Sequence, residues 1–512
     1  MASGGTPAPG ARGTVDVLRS RPPSRLHRLK RLARRVPPGI ALDVGAVATV
    51  LLAVTYASSR GMVAVLLLLP LLLGGGFVAV LSGWLRPVEV SVLAGILCLL
   101  TTRSNILGEA FGIVGSAGWL VVAATSRSWL RHPRTVPLLV GVAASVLAYW
   151  SYIVLLDALR SSSLQAVVAA GAGTLGGLAV PSVLATGAAV VGCWALAVDR
   201  QRGPRFVKAL VALGAWQVLG YLVLVPLWQV AGPRAGLVAT INPLTFGGRD
   251  ADFGLYATGI LTTGGGGFAS AVGPRLTGWT GEPGILGATL LLVAFAAAVT
   301  PEVSLRWRTA GWLVALLGVV CAQSTASVLT AALGAVVALV TVPATRAGRL
   351  QGAVWAATAG AFAFAALLFS RFGLRGKGEQ SQVSVTDRLN GVGTPRELFQ
   401  TWLHAPFGAP LANGGSVGVN LVQESLRYGV LVALLATLAF LSPAVCAGAM
   451  RRLAPAVIML LATAWFAQPG MANPLWLALS MIAAGGVARE QRKEEPVPTP
   501  NGRPLTGAVA IR

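Results

Sequence analysis

The sequence predicts an all-α polytopic membrane protein, and three observations support this fold class. Of its 512 residues, 55% are hydrophobic and only 11% are charged, against roughly 25% charged residues in soluble domains. The mean hydropathy is +0.72. Apolar runs approaching the ~20 residues that cross a bilayer recur along the whole chain, whereas the ten-residue alternating segments of a membrane β-barrel do not occur in the sequence.

The apolar runs between charged or Pro/Gly-rich breaks predict about 14 transmembrane helices, with about 12 as the lower limit. The spans are expected at 39–58, 61–82, 87–102, 106–125, 135–157, 176–198, 208–230, 284–301, 310–323, 325–344, 352–370, 428–448, 454–468 and 472–488.

The basic residues set the expected orientation. Nine of the 40 Lys and Arg residues lie between Arg12 and Arg35, ahead of the first span, and 19 of the other 31 fall in alternate short loops or in the C-terminal tail. The positive-inside rule then places both termini on the cytoplasmic side of the membrane. The basic run has no aromatic residue for base stacking. It therefore indicates attraction to anionic lipid heads rather than nucleic-acid binding.

This topology divides the chain into tails, helical bundles and two long extracytoplasmic loops. The segments are a basic cytoplasmic tail (1–37), an N-terminal transmembrane bundle (38–230), a first long loop (231–283), transmembrane helices (284–370), a second long loop (371–427), further transmembrane helices (428–488) and a disordered cytoplasmic tail (489–512). Loops this long are usually functional or disordered. Aromatic residues such as Trp279 and Trp402 favour loops that pack.

Familiar catalytic motifs for nucleophiles, metals or nucleotides do not occur in the sequence. The four cysteines are scattered through apolar segments and form no CxxC pair, so neither a metal site nor a disulfide framework is indicated. We therefore expect a chemistry without metal or cofactor.

The long loops instead combine arginines with a few carboxylates. The candidates for substrate binding are Arg249, Arg275, Arg388, Asn420 and Glu424, and those for catalysis are Glu282 and His404. An arginine holds phosphate oxygens with two parallel hydrogen bonds and stays charged at any working pH. Such a set suits a diphosphate-linked lipid, with a carboxylate or histidine to take a proton from an incoming hydroxyl.

Simpler explanations exist for several of these residues. Arg249 adjoins Asp250 and Arg388 adjoins Asp387, so either arginine could be an exposed partner in an ion pair. Glu282 precedes Pro283, and an acid before a proline in the first helical position also favours a helix N-terminus. Both roles of Glu282, capping and catalysis, stay open at this point.

Four segments, in this order, resemble the O-antigen ligase and polymerase superfamily of bacterial envelope glycosyltransferases. They are RLTGWTGEPGILGATLLL from Arg275, CAQSTASVLTAALGAVVAL from Cys321, DRLNGVGTPRELFQTWLHAPFGAPLANGG from Asp387, and VNLVQESLRYGVLVALL from Val419. The resemblance covers roughly residues 240–450. Val419 stands where ligase members carry a histidine, and Ser324-Thr325-Ala326 replaces an arginine-bearing turn. These departures favour a polymerase over a ligase.

The resemblance implies a metal-independent inverting glycosyltransferase of the GT-C type. Its substrates would be glycan repeat units linked to undecaprenyl diphosphate, joined into a cell-surface polysaccharide on the outer face of the membrane. Arg275 and Arg388 match the loop arginines of polymerase members and would bind the diphosphate. Glu282 would be a base or orienting group, and His404 a second candidate.

Two rival functions follow from the same sequence. One is ligase-type transfer of a finished glycan from lipid diphosphate to another acceptor. The other, from a different class, is a transporter or flippase for lipid-linked glycans, although flippases carry charges inside the bundle and repeated halves. The expected partners are the lipid-linked glycan, the bilayer and other membrane proteins of polysaccharide assembly, and no nucleic acid.

Overall fold

The computed structural model describes residues 129–160, 180–232, 237–241, 252–256, 259–264, 275–278, 283–341, 395–408, 420–466 and 475–494, with a few isolated positions between 119 and 168 and at 280. The first four predicted spans, apart from a few residues of the fourth, lie outside this part of the chain. So do the predicted span at 352–370, the N-terminal tail and residues 495–512 of the C-terminal tail.

The described residues form eleven α-helices and four β-strands. The helices are α1 (Thr135–Leu159), α2 (Val180–Val198), α3 (Arg202–Ala231), α4 (Pro283–Val299), α5 (Leu305–Ala322), α6 (Thr325–Thr341), α7 (Pro395–His404), α8 (Leu421–Tyr428), α9 (Val430–Cys446), α10 (Met450–Phe466) and α11 (Leu475–Glu494). The strands are β1 (Leu237–Ile241), β2 (Asp252–Tyr256), β3 (Gly259–Gly264) and β4 (Arg275–Gly278).

Nine of the helices coincide with predicted spans: all except α7 and α8. Within the described residues α1, α3 and α5 are long and apolar enough to cross a membrane, and α2, α4, α6 and α9 are shorter apolar helices. The structure is therefore mostly helical and compatible with an all-α membrane protein. The expected total of about 14 transmembrane helices stays a prediction, because several of the predicted spans lie outside the described residues.

Helices α4 and α11 occupy the centre of the bundle. Every residue of α4 from Gly284 to Ala297 is buried, and so is every residue of α11 from 475 to 489. The surrounding helices α1, α3 and α5 instead expose large apolar side chains, for example Leu159, Val223 and Val320 at about 70% each. An apolar outer surface of this extent is what a lipid-facing bundle requires.

The first long loop contains a four-stranded antiparallel sheet in the order β1-β2-β3-β4. The all-α expectation did not include it, because these strands lie among glycines and polar residues that were interpreted as loop. The last strand, β4, packs against α4 and α5. Its Leu276 and Thr277 are fully buried, so the sheet is tied to the helical bundle through β4.

The two ends of the bundle are defined by the contacts of α1 with α9, which run antiparallel. Arg160, after the end of α1, contacts Arg427 just before α9 begins. At the opposite end Arg134 lies beside Gly448, beyond the end of α9. We call the end with Arg160 the outer end and the end with Arg134 the inner end, following the predicted orientation.

A buried ion pair lies at the inner end. The Arg489 Nη1 atom on α11 is 3.7 Å from the Glu302 carboxylate in the turn between α4 and α5, and the Arg489 side chain is only 4% exposed. Arg489 also donates a hydrogen bond to the Asp199 carbonyl oxygen after α2, at 3.0 Å. The pair thus joins three parts of the chain in one place.

Replacing Arg489 should destabilise the fold much more than replacing an arginine in an exposed pair. Arg489→Met removes the buried guanidinium that faces the Glu302 carboxylate, which costs about 3 kcal/mol of unfolding free energy. The matched control is Arg452→Met, because the 2.9 Å pair of Arg452 with Glu490 is over 40% exposed on both sides and contributes at most about 1 kcal/mol. Thermal unfolding in detergent micelles measures both variants, and equal melting temperatures would contradict the proposed role of the buried pair.

Candidate functional site

The short helix α8 is amphipathic and well specified by its sequence. The Asn420 side-chain oxygen accepts a hydrogen bond from the Gln423 backbone N–H at 2.9 Å, which caps the helix N-terminus. Residues Leu421, Glu424, Ser425 and Tyr428 follow at helical spacing, and all four are buried. One face of α8 therefore turns inward, and that face includes a carboxylate.

Three hydrogen bonds dock α8 on the outer half of α1 and on Arg160 just beyond it. The Tyr149 hydroxyl donates to Glu424 Oε2 at 2.8 Å, and the Tyr152 hydroxyl donates to the Tyr428 carbonyl oxygen at 2.8 Å. Arg160 Nη1 donates to the Arg427 carbonyl oxygen at 2.8 Å, and its Nη2 reaches the Phe407 carbonyl oxygen. Arg160 thus satisfies backbone acceptors at the end of α8, where a cation is favourable.

Helix α7 and its following turn pack on the other side of α8. The Trp402 indole N–H donates to Ser425 Oγ at 2.9 Å. The Trp402 ring also packs edge-on against the Trp465 ring of α10, with 6.4 Å between the two ring centres. After α7 the chain turns at Gly408, where a Cβ would overlap the Arg427 carbonyl group. Backbone approaches backbone here, so glycine is required for the contact.

Glu424 is the unusual group of this site. Its side chain is 0% exposed, and this burial raises the pKa of the Glu424 carboxyl from an ordinary 4.5 to about 8. The hydrogen bond from Tyr149 acts in the opposite direction, because it favours the charged form and lowers the pKa. Glu424 Oε1 has no hydrogen-bond partner in the part of the chain that the structure describes. The carboxyl therefore keeps one acceptor open and titrates close to neutral pH.

Arg427 places a cation one helical turn from this carboxyl. Its guanidinium carbon lies 4.9 Å from the centre of the Tyr428 ring, and that of Arg160 lies 6.0 Å from the same centre. The Nη1 atom of Arg427 is buried and has no hydrogen-bond partner among the described residues. We call Tyr149, Arg160, Glu424, Arg427 and Tyr428 the outer cluster.

The outer cluster combines two chemical capacities. The open oxygen of Glu424 can accept a proton or a hydrogen bond, and Nη1 of Arg427 can donate to an anionic oxygen. A group with a displaced pKa beside a cation is typical of functional sites. The arrangement suits a ligand with a hydroxyl and a phosphate. Among the described residues, no group of three or more His, Cys, Asp or Glu side chains is placed to hold a metal ion.

Arg275 lies in a different part of the outer end. From β4 its Nε donates to the Ala322 carbonyl oxygen at 3.3 Å and its Nη2 to the Gln323 carbonyl oxygen at 3.2 Å. These groups end α5, where Gln323 adopts a left-handed backbone with φ of 47°. A cation is favourable at a helix C-terminus. The substrate-binding role of Arg275 stays a prediction beside this structural one.

The other predicted site residues fall into two groups. Asn420 and Glu424 lie together on α8, where Asn420 caps the helix and Glu424 faces the outer cluster. His404 is the last residue of α7, and its exposed ring contacts the Gln400 carbonyl oxygen at 2.8 Å. The remaining three, Glu282, Arg388 and Arg249, lie outside the described residues, although α4 does begin at Pro283.

Sequence reasoning did not select Tyr149, Arg160 or Arg427. Tyr149 sits within an apolar span, where a tyrosine gives no signal of its own, and 275 residues separate it from Glu424. Arg427 offered a weak signal, since it follows Glu424 by three residues and therefore shares its side of a helix.

No family model, curated protein or solved structure matches this chain.

Gly429 offers a test of how α8 is held. Its φ of 88° and ψ of 167° lie in a region that only glycine adopts readily, and a methyl group there would also overlap the Pro406 carbonyl oxygen. Gly232 has nearly the same backbone, with φ of 82° and ψ of 169°, but no described atom within 4 Å of its added Cβ. The two glycines form a matched pair.

Gly232→Ala should therefore cost only the backbone strain, about 1–3 kcal/mol. Gly429→Ala should cost the same backbone strain and also the overlap of the new methyl group with the Pro406 carbonyl oxygen. We expect this overlap to separate α8 from the turn after α7. Limited proteolysis and thermal unfolding of both purified variants measure this, with cleavage expected near residues 405–430 only in Gly429→Ala. Identical behaviour of the two variants would mean that the contact with Pro406 does not hold α8 in place.

Proposed function

We propose that this protein joins undecaprenyl-diphosphate-linked oligosaccharide repeats into a cell-surface polysaccharide on the outer face of the bacterial plasma membrane. The observation that supports this most directly is the outer cluster: a buried carboxyl with an open oxygen, one helical turn from an arginine with an open N–H group. A glycosyl transfer from a lipid diphosphate needs these two functions, a base and a cation for the leaving group.

In the proposed reaction a sugar hydroxyl of the acceptor repeat binds Glu424 Oε1. The hydroxyl oxygen attacks the anomeric carbon of the donor glycan, and the bond from that carbon to the diphosphate oxygen breaks. The hydroxyl proton passes to the Glu424 carboxylate. Undecaprenyl diphosphate leaves with the bonding electron pair, and Arg427 stabilises the negative charge that develops on it. The configuration at the anomeric carbon inverts because the transfer has a single step.

The environment of Glu424 suits it to the role of base. A carboxylate with a pKa near 4.5 is a weak base for a hydroxyl, whereas burial that raises the pKa to about 8 makes the carboxylate a stronger one. Tyr149 holds Oε2 at 2.8 Å and so directs Oε1 towards the acceptor. In this scheme Tyr149 is a positioning residue and Glu424 is the catalytic one.

The site is closed in the structure, because Glu424 is fully buried. Substrate reaches Oε1 when α8 shifts relative to α1, which requires the hydrogen bonds of Tyr149, Tyr152 and Arg160 to α8 to rearrange. Helix α1, which carries Tyr149, is long and apolar enough to cross a membrane, so the lipid tail would lie beside the site. Arg275 is the proposed second contact for the diphosphate, and Arg388 keeps its proposed role in binding it. Because Glu424 takes the proton in this scheme, Glu282 keeps only its proposed role as an orienting group.

A deletion strain complemented with single variants tests this function. The deletion should leave single lipid-linked repeats, and wild type should restore long chains. Because general-base catalysis contributes about 10²–10⁴-fold, Glu424→Gln should restore less than about 1% of the long polymer, and Arg427→Gln should be strongly impaired. The controls are Glu397→Gln and Arg396→Gln, exposed neighbours on α7, which should restore full length.

Each alternative outcome has a definite meaning, provided that immunoblots show equal insertion of all variants. Full polymer with Glu424→Gln contradicts the catalytic role of that carboxyl. Long chains that stay on lipid diphosphate in the deletion strain indicate a ligase. Repeats retained on the cytoplasmic side indicate a flippase, and both of the last results contradict the polymerase function.

A further inference from the structure

A second concave region lies at the inner half of the bundle, away from the outer cluster. It is a groove of about 650 Å³ between α4, α5, α6, α10 and α11. Its walls are apolar, with Phe295, Leu316, Ala335 and Met459 among the lining residues. Ala335 and Ala338, which are small, leave the space open on the α6 face that lines it. Gly334 instead lets the Met459 side chain approach the helix closely.

The groove has the length of one membrane leaflet. It begins beside Ala331 and ends at Thr341 on α6, and these ten residues of helix span about 15 Å. On α10 it runs from Met459 to Arg451, about 12 Å. Half of a bilayer's hydrocarbon core is about 15 Å thick. The groove therefore extends from about the middle of the bundle to its inner end and stops short of its outer end.

Charged residues lie only at the inner end of this groove. Arg451, Arg452 and Glu490 complete its lining there. Arg451 Nε donates to the Thr341 carbonyl oxygen at 3.1 Å, and Arg452 pairs with Glu490 at 2.9 Å. Among the lining residues two guanidinium groups accompany one carboxylate, which makes the described lining of this end positively charged. A guanidinium carries five N–H donors, so it can bind a phosphate while it donates elsewhere.

We propose that this groove binds an anionic phospholipid of the inner leaflet, with one acyl chain along the apolar walls and the phosphate at Arg451 and Arg452. A phospholipid has the same order of apolar and charged parts as the groove. Its acyl chain corresponds to the apolar walls, and its phosphate corresponds to the arginines at the inner end. Basic pockets between transmembrane helices bind anionic head groups in this way. The site is independent of the proposed polymerase reaction, which takes place at the other end of the bundle.

Native mass spectrometry of the purified full-length protein tests the proposal. The protein in detergent is mixed with equal amounts of dioleoyl phosphatidylglycerol, which is anionic, and dioleoyl phosphatidylcholine, which is not. The wild type should retain the anionic lipid preferentially. In the double variant Arg451→Gln/Arg452→Gln the retained anionic lipid should fall about tenfold or more, since each arginine near a lipid surface contributes to binding.

Two matched controls separate the groove from the general surface. Arg205→Gln/Arg306→Gln removes the same charge from exposed inner-end positions away from the groove and should keep the lipid. Ala335→Phe fills the groove from an exposed position of α6 and should displace it, whereas Val328→Phe on the same helix, also exposed and not lining the groove, should not.

Three results would overturn the proposal. If Arg451→Gln/Arg452→Gln and Arg205→Gln/Arg306→Gln lose the anionic lipid equally, the lipid is bound by surface charge and not by the groove. If the wild type retains both lipids equally and Ala335→Phe displaces both, the groove binds acyl chains but does not recognise the head group. A dimer that Ala335→Phe dissociates would mean that a second copy of the chain occupies the groove.

Discussion

The hydrogen bond from Tyr149 to Glu424 joins two segments that lie 275 residues apart, and the outer site depends on it. A carboxyl group without partners would not be stable in this position, because removing its charge from water is costly. Two features offset that cost: the tyrosine hydroxyl, and a pKa near 8 that keeps the group largely protonated at neutral pH. The burial of Glu424 thus causes the raised pKa on which its proposed reactivity depends.

The charged groups of the described bundle are concentrated at its two ends, and their interactions differ between the two ends. At the inner end Arg489 and Glu302 neutralise each other, which stabilises the turn between α4 and α5. At the outer end Glu424 and Arg427 each keep an open polar atom. Helices that pass between the ends must be almost free of charge, since lipid cannot solvate a charged side chain. Buried α4 and exposed α5 both obey this rule.

Much of the helical framework could be predicted from hydropathy alone. The span expected at 325–344 begins where α6 begins, and the one expected at 428–448 contains α9. The sheet β1-β4 could not be predicted in the same way. Its strands, such as GILTTG in β3, lack the alternation of polar and apolar residues that marks a half-buried strand.

The candidate site was predictable in part. Loop position and residue type selected Glu424 and Asn420, and both lie on α8. Residue type cannot distinguish a ligand-binding arginine from one that caps a helix, and Arg275 contacts the carbonyl groups that end α5. Tyr149 could not be found at all, because its role arises from the packing of α8 on α1. Local sequence carries no information on such a distant pairing.

The pH dependence of chain elongation tests the role of Glu424 most directly. Membranes of the deletion strain supply native lipid-linked repeats, and purified wild type or Tyr149→Phe protein is added at different pH values. Only the ionised carboxylate can accept the proton, so the rate should rise about tenfold per pH unit and level off near pH 8. Tyr149→Phe removes a contact that lowers the pKa, so its plateau should move to higher pH. A rate independent of pH between 6 and 9, or a profile unchanged by Tyr149→Phe, would contradict the assignment of Glu424 as the base.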